Sequence, residues 1–202
     1  MSEEEGTVFL IDDDHAVRDS LSLLLALNRI RTQVFANAES FIETFVPDAC
    51  GCVLTDLRMP GMTGLDLQAA LRQRDIKLPV VVLTAHGEVA TVRTALKNGA
   101  FDYLEKPIED HVLLDVLRSA MRADRERRAS VELRSATEER LARLTRRERE
   151  VLALLANGHQ NVDIAAQLRI SPRTVEVHKA RIMEKLESES LADLIRIVLG
   201  KD

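Results

Sequence analysis

Only two cysteines occur in the 202 residues, Cys50 and Cys52, with Gly51 alone between them. They are too few and too close for a disulfide framework or a four-ligand zinc site. Both are expected to stay reduced, Cys52 as a small core residue in a strand. No apolar stretch approaches the roughly 18 to 20 residues that a membrane helix needs, so no membrane partner is expected. The start, Met1-Ser2-Glu3-Glu4-Glu5, is acidic and lacks the basic and apolar regions of a secretory signal, which predicts a cytoplasmic protein. Internal repeats and low-complexity tracts are also missing. What is present is 46% hydrophobic residues, enough for real cores, in a length that allows one or two domains.

Charge favours two. Residues 1–121 hold 19 acidic and 11 basic residues, a balance of −8, while residues 122–202 hold 14 and 17, a balance of +3. An acidic half suits a cation site and a basic half suits a polyanion. The basic excess is small and gains meaning only beside the helix pattern below, since most charged surface is simply solvated.

In the acidic half four short apolar runs end in polar residues: Val8-Phe9-Leu10-Ile11 before Asp12, Cys52-Val53-Leu54 before Asp56, Val80-Val81-Val82-Leu83 before Thr84, and Tyr103-Leu104 before Lys106. Runs this short and rich in β-branched residues read as strands buried on both faces of a parallel sheet. Segments with helical spacing lie between them, such as Val17, Leu21, Leu24 and Leu25, or Leu65, Leu67, Ala70 and Leu71. Alternating strand and helix implies right-handed βαβ units whose ligands bind at the carboxyl ends of the strands. The polar positions all stand there.

Asp12, Asp13 and Asp56 would bring three carboxylates within a few ångströms, which requires protonation or a cation among them. Oxygen-only ligands select a hard ion such as Mg²⁺, which bridges carboxylates and phosphate oxygens. Asp56 then becomes a nucleophile toward phosphorus, with Lys106 and the Thr84 hydroxyl as partners of the phosphoryl oxygens. Taken alone, Asp12-Asp13-Asp14 also reads as a helix N-cap run. Four consecutive strand ends in order favour the pocket.

Residues 109–121 continue as a helix through Val112, Leu113, Val116 and Leu117, and residues 122–140 are mostly charged, with no Pro or Gly. That composition predicts an exposed helical linker. Its partial apolar spacing, Ala129, Leu133 and Ala136, leaves dimerisation open. Beyond it the chain reads as helices. Thr145 with Glu148 forms a capping-box pattern that opens a helix ending at Asn157-Gly158. A second helix spans about 161–168, and Ser171-Pro172 opens a third. A fourth begins near Ser190. Two short helices joined by a tight turn, the second carrying cations, is the helix-turn-helix arrangement.

The motifs Phe9-Leu10-Ile11-Asp12-Asp13-Asp14, Thr55-Asp56-Leu57-Arg58-Met59-Pro60-Gly61-Met62-Thr63-Gly64, Leu83-Thr84-Ala85-His86-Gly87 and Lys106-Pro107 resemble the receiver domain of two-component response regulators, over residues 6–121. The resemblance implies a flavodoxin-like α/β fold with a five-stranded parallel sheet in the order 2-1-3-4-5. It implies Asp56 as phosphoacceptor, Asp12, Asp13, Asp56 and the Arg58 backbone carbonyl around Mg²⁺, Thr84 and Lys106 as phosphate partners, and a cis Lys106-Pro107 bond. Tyr103 matches the switch aromatic that turns inward as Thr84 moves, although a core ring with its hydroxyl at the surface is an equal reading. Arg58 and His86 flank the pocket mouth and are expected to tune phosphoryl lifetime.

Leu144-Thr145-Arg146-Arg147-Glu148 with Gly158, Asn161, Ile164-Ala165, Ile170-Ser171, Arg173-Thr174-Val175-Glu176-Val177-His178 and Lys185-Leu186 resembles the LuxR-type DNA-binding domain, an all-α four-helix unit over residues 138–202 behind a linker at 122–137. The combination resembles the FixJ branch of the NarL/FixJ regulators. With Val175, Ile182 and Leu186 turned inward, Glu176, Val177, Ala180 and Arg181 face out. Glu176 is then placed to accept from cytosine N4 and Val177 to touch a thymine methyl. Arg173, Thr174, Lys179, Arg181 and Asn161 are expected on phosphates, and His178 either contacts phosphate or packs. Val162 departs from the lysine that many relatives carry, which puts one backbone contact in doubt.

The resemblance implies a histidine kinase as phosphodonor, promoter DNA and RNA polymerase as partners, a homodimer on phosphorylation through residues 92–100 and the strand at Tyr103, and activation of transcription. A dedicated enzyme is not expected. Phosphatases and mutases with an aspartyl nucleophile place it in an Asp-x-Asp pattern after the first strand, which Asp56-Leu57-Arg58 lacks. A receiver acting only as a scaffold would have no reason to retain the acidic cluster.

Overall fold

The computed structural model describes residues 6–47, 49–85 and 99–199, and divides into two compact units, one through Arg128 and one from Ala129. In the first, the apolar runs become parallel strands β1 (Thr7–Ile11), β3 (Gly51–Asp56), β4 (Val80–Thr84) and β5 (Asp102–Glu105), joined by β2 (Thr32–Phe35). The sheet order is β2-β1-β3-β4-β5, as the receiver resemblance implies. Helices α1 (His15–Leu27), α2 (Ala38–Thr44) and α3 (Gly64–Gln73) lie between strands, and α4 (Asp110–Ala142) follows β5.

Successive strand residues point to opposite faces, so each central strand feeds two cores. Val8, Leu10, Cys52, Leu54, Val81 and Leu83 meet Leu25 of α1 and Leu113, Leu117 and Met121 of α4. Phe9, Ile11, Val53, Val80 and Val82 meet Phe41 of α2 and Leu67 and Leu71 of α3. Four of the five phenylalanines, Phe9, Phe35, Phe41 and Phe45, join this second face through ring pairs 5.2 to 5.8 Å apart. Tilted and edge pairs of this kind add about 0.5–1.5 kcal/mol each beyond the area they bury. Burial pushes the Cys52 thiol up to about 12, so it behaves as a small apolar residue.

Helix starts follow local chemistry. Asp14 accepts from the Ala16 amide to cap α1, Asn37 caps α2, and Thr63 with Asp66 closes a capping box on α3. The N-cap reading of the acidic run therefore holds for Asp14. Gly64, the first residue of α3, is required sterically, because a Cβ there would stand 2.5 Å from the Asp56 carbonyl oxygen.

At α4 the structure departs from expectation. The helix expected over 109–121 and the helical linker expected over 122–140 form one helix, Asp110–Ala142, but Asp124, expected in an exposed linker, is fully buried. Nothing between Asp110 and Ala142 breaks helix, and Asp124 continues the buried face of Leu113, Leu117 and Met121. Its carboxylate is held by Arg127 Nη2 at 2.5 Å, Arg128 Nε at 2.8 Å and the Gly51 amide at 3.1 Å. Burial alone would raise its pKa, but these three donors outweigh that and hold it below the usual carboxylate range.

The second unit packs α5 (Arg146–Ala156), α6 (Asn161–Leu168), α7 (Pro172–Lys185) and α8 (Leu191–Leu199) around Val151, Leu155, Ile164, Val175, Ile182 and Leu186. Thr145 and Glu148 close the anticipated capping box, and Ser171 caps α7 with Pro172 in its first turn. Arg169 takes the left-handed conformation (φ 53°) that turns the chain from α6 toward α7. Glu148 is buried and bonded to Lys185 at 2.7 Å. That lysine, the Thr145 backbone and the Thr145 hydroxyl together draw its carboxyl down to about 2 against the opposing effect of burial.

Candidate functional site

The carboxyl ends of β1, β3, β4 and β5 converge, and Lys106 Nζ joins them: it lies 3.1 Å from Asp12 Oδ2 and 2.7 Å from Asp56 Oδ1. Asp12 is almost wholly buried, and the Asp56 side chain keeps 14% of its surface and Lys106 27%. Each carboxylate spends its other oxygen locally, Asp12 Oδ1 on the Asp14 amide at 2.9 Å and Asp56 Oδ2 on the Arg58 amide at 2.7 Å. Burial would lower the Lys106 pKa, but its hydrogen bonds to Asp56 and Asp12 and their charges outweigh it and hold the ammonium above its ordinary value. Two carboxylates thus share one cation.

Thr84 is buried at the end of β4, where its carbonyl accepts from the Lys106 amide at 2.7 Å, and the Lys106–Pro107 peptide is cis. Asp13 does not join the cluster. It is exposed and lines a neighbouring depression with Asn37, Glu39 and Pro60. Arg58 is exposed at the mouth, while His86 and residues 92–98 of the anticipated 92–100 helix lie outside the described residues. The Tyr103 ring packs beside the Phe9 core face, and its hydroxyl is shielded from solvent, with no hydrogen-bond partner among the described residues. A hydroxyl at the surface, one of the two readings of Tyr103, is therefore not what is found.

Among the described residues, no three His, Cys, Asp or Glu side chains stand close enough to hold a metal ion. The donor chemistry nevertheless suits a hard cation, since Asp12, Asp13, Asp56 and the Arg58 carbonyl offer oxygen alone. Between Asp12 and Asp56 the positive charge is supplied by Lys106.

On α7 the burial of Val175, Ile182 and Leu186 leaves Arg173, Glu176, Val177, Ala180 and Arg181 exposed. Arg173, Glu176, Val177 and Ala180 line one shallow depression. Thr174 and Lys179 are half-buried, with the Thr174 amide and hydroxyl on Ser171 Oγ. His178 Nδ1 is buried without a partner among the described residues. Asn161 opens α6, whose first turn receives no side-chain cap. Val162 is 67% exposed beside it. Asp124 and its two arginines were not anticipated as a cluster, although the spacing from Leu117 and Met121 marks position 124 as inward.

Among the described residues no helix is long and apolar enough to cross a membrane. Residues 8–118 match the response regulator receiver domain, and residues 142–198 match the bacterial regulatory proteins of the luxR family. The chain is 42% identical over 196 residues to the transcriptional regulatory protein FixJ of Azorhizobium caulinodans, covering 97% of this chain and 93% of that protein. It is 40% identical over 195 residues to FixJ of Rhizobium meliloti, covering 96% and 95%. Among solved structures, the response regulator StyR superposes with a TM-score of 0.87 at 39% identity, covering 96% of this chain and 98% of StyR. Full-length FixJ from B. japonicum superposes at 0.62 with 36% identity, covering 98% and 97%.

Proposed function

Because the chain belongs to the NarL/FixJ family of two-component response regulators, which join a receiver to a LuxR-type DNA-binding domain, we propose that Asp56 takes a phosphoryl group from a histidine kinase and so controls promoter binding. Its family is one of transcriptional regulators, not of dedicated enzymes. In this reading residues 6–121 are the receiver, 122–137 the linker and 138–202 the DNA-binding domain.

Asp56 Oδ1 attacks phosphorus as the P–N bond to the kinase histidine breaks, and the imidazole nitrogen keeps the bonding pair. The product is an acyl phosphate, labile enough to serve as a signal. Lys106, already on Asp56 Oδ1 and held protonated, then pairs with a phosphoryl oxygen, and the Thr84 hydroxyl donates to another. Asp12, Asp13, Asp56 and the Arg58 carbonyl would hold Mg²⁺, which supplies charge neutralisation for the incoming phosphoryl oxygens. Arg58 and His86 limit water access and set the lifetime. The single observation that carries the reading is Lys106 Nζ within hydrogen-bonding distance of both Asp12 and Asp56.

Phosphorylation adds roughly −1.5 to −2 charge and new acceptors, enough to bias Thr84 and Tyr103 between two arrangements. The phosphorylated form pairs into a homodimer and places two copies of α7 about one helical turn apart on duplex DNA. Glu176 and Val177 read base edges, whereas Arg173, Thr174, His178, Lys179, Arg181 and Asn161 fix the backbone. The setting is the cytoplasm and the outcome is activation, with RNA polymerase as the further partner. Promoter footprinting with and without acetyl phosphate and Mg²⁺ tests this: wild type should gain protection on phosphorylation and Asp56→Asn should not. Equal protection in all four samples would reject control by phosphorylation.

A further inference from the structure

At the amino-terminal ends of the strands, opposite Asp56, a cavity of about 350 Å³ opens between the end of α2, the segment from α3 to β4, and α4. Its floor is apolar, formed by Ile42, Phe45 and Leu78, and its walls carry Arg74, Lys77 and Arg127. Phe45 is held by the rings of Phe9 and Phe41, so the floor is built on the core. Arg74, Lys77 and Arg127 line the cavity with Arg128, and Asp75, the one described carboxylate of the lining, pairs with Lys77. Arg74 has no anionic partner among the described residues, and Arg127 Nε is shut from solvent with no acceptor among them. The buried Asp124 behind the wall engages Arg127 through Nη2.

We propose that this cavity binds a small organic anion, a carboxylate borne on a flat apolar body, as an effector distinct from the phosphoryl group. The carboxylate meets the guanidinium groups of Arg74 and Arg127, whose planar forks match it in geometry, and the body lies on Phe45 and Leu78. A carboxylate without the ring leaves the floor wet, and a ring without the charge leaves the guanidinium groups unanswered. An occupant also engages the arginine that fastens α4 to the start of β3 through Asp124 and Gly51.

The test is an amide NMR titration of the full ¹⁵N-labelled chain with benzoate, with acetate and benzyl alcohol as matched probes. Benzoate should shift Phe45, Ile76 and Lys77 saturably in the millimolar range, at least about tenfold more tightly than either partial probe. The charge-reversed pair Arg74→Glu and Lys77→Glu, both exposed, should abolish those shifts, and the milder Arg74→Gln and Lys77→Gln pair should weaken them about fivefold or more. The milder pair decides if charge reversal disturbs the rest of the spectrum. Asp56→Asn should bind benzoate as wild type does, which separates this site from phosphoryl chemistry. No saturable shift at these residues, shifts centred instead on Asp56 or α7, or benzyl alcohol binding as tightly would overturn the proposal.

Discussion

The two ends of the parallel sheet carry ion clusters of opposite composition. At the carboxyl end two carboxylates, Asp12 and Asp56, share the ammonium of Lys106; at the amino end two guanidinium groups, Arg127 and Arg128, share the carboxylate of Asp124. One cluster sets two carboxylates on one cation, and the other gathers two cations and a backbone amide on one carboxylate. In a buried setting such imbalance costs stability unless another ion or hydrogen bonds correct it. The difference teaches that one sheet can gather carboxylates around a cation at one end and cations around a carboxylate at the other. Glu148 with Lys185 in the second unit is the balanced counterpart, one charge against one.

Removing the shared carboxylate should produce the largest change. Asp124→Ala removes the acceptor that Arg127, Arg128 and the Gly51 amide share and should destabilise the first unit by about 3 kcal/mol, read by urea unfolding followed at that unit. A loss under about 1 kcal/mol would mean that solvent satisfies both arginines, and the contrast between the ends would fail.

The balanced pair should respond less and through pH. Folding holds the Glu148 carboxyl down at about 2, below its unfolded value, so its contribution is present above the unfolded pKa and is lost as pH falls from about 4.3 toward about 2. Glu148→Gln should cost about 2 kcal/mol at neutral pH and flatten that acid loss in the second unit. An unchanged acid profile in the variant would assign the loss to other groups.

At the carboxyl end, packing can be perturbed without touching charge. Gly64→Ala drives a Cβ against the Asp56 carbonyl oxygen and should cost about 1–2 kcal/mol while slowing phosphorylation severalfold, measured by phosphoprotein gel against time. Phosphorylation at the wild-type rate would show that Asp56 tolerates the shift. The smallest effects belong to α7. Arg173→Ala should weaken all DNA sequences alike and reduce the salt slope by about 1, whereas Glu176→Ala should relax one base preference by about 1 kcal/mol or more, both read by fluorescence anisotropy. Identical signatures from the two variants would remove the division between backbone and base contacts.

Much of this was legible because strong periodicity and charge agree at particular places. Val80 to Leu83, wholly apolar and then Thr84, has no stable alternative to a buried strand, and Asp12, Asp56 and Lys106 stand where four such strands end. Thr145 with Glu148 and Ser171 with Pro172 mark helix starts through hydrogen bonds that need no tertiary context. β2 escaped the residue pattern because an edge strand of four residues, with Val34 43% exposed, carries no continuous apolar run. Asp124 was misplaced because composition labels a charged stretch as surface, whereas here its helical position turns it inward and three donors make burial tolerable. The apartness of Asp13 from Lys106 depends on side-chain direction, which neighbouring sequence position does not encode.

In the proposed mechanism every phosphoryl-dependent step begins at Asp56. Intact-mass spectrometry of the full chain after incubation with acetyl phosphate and Mg²⁺ should show one added phosphoryl group that disappears on hydroxylamine treatment, and none in Asp56→Asn. A wild-type mass unchanged at every magnesium concentration, or the same addition in Asp56→Asn, would contradict it.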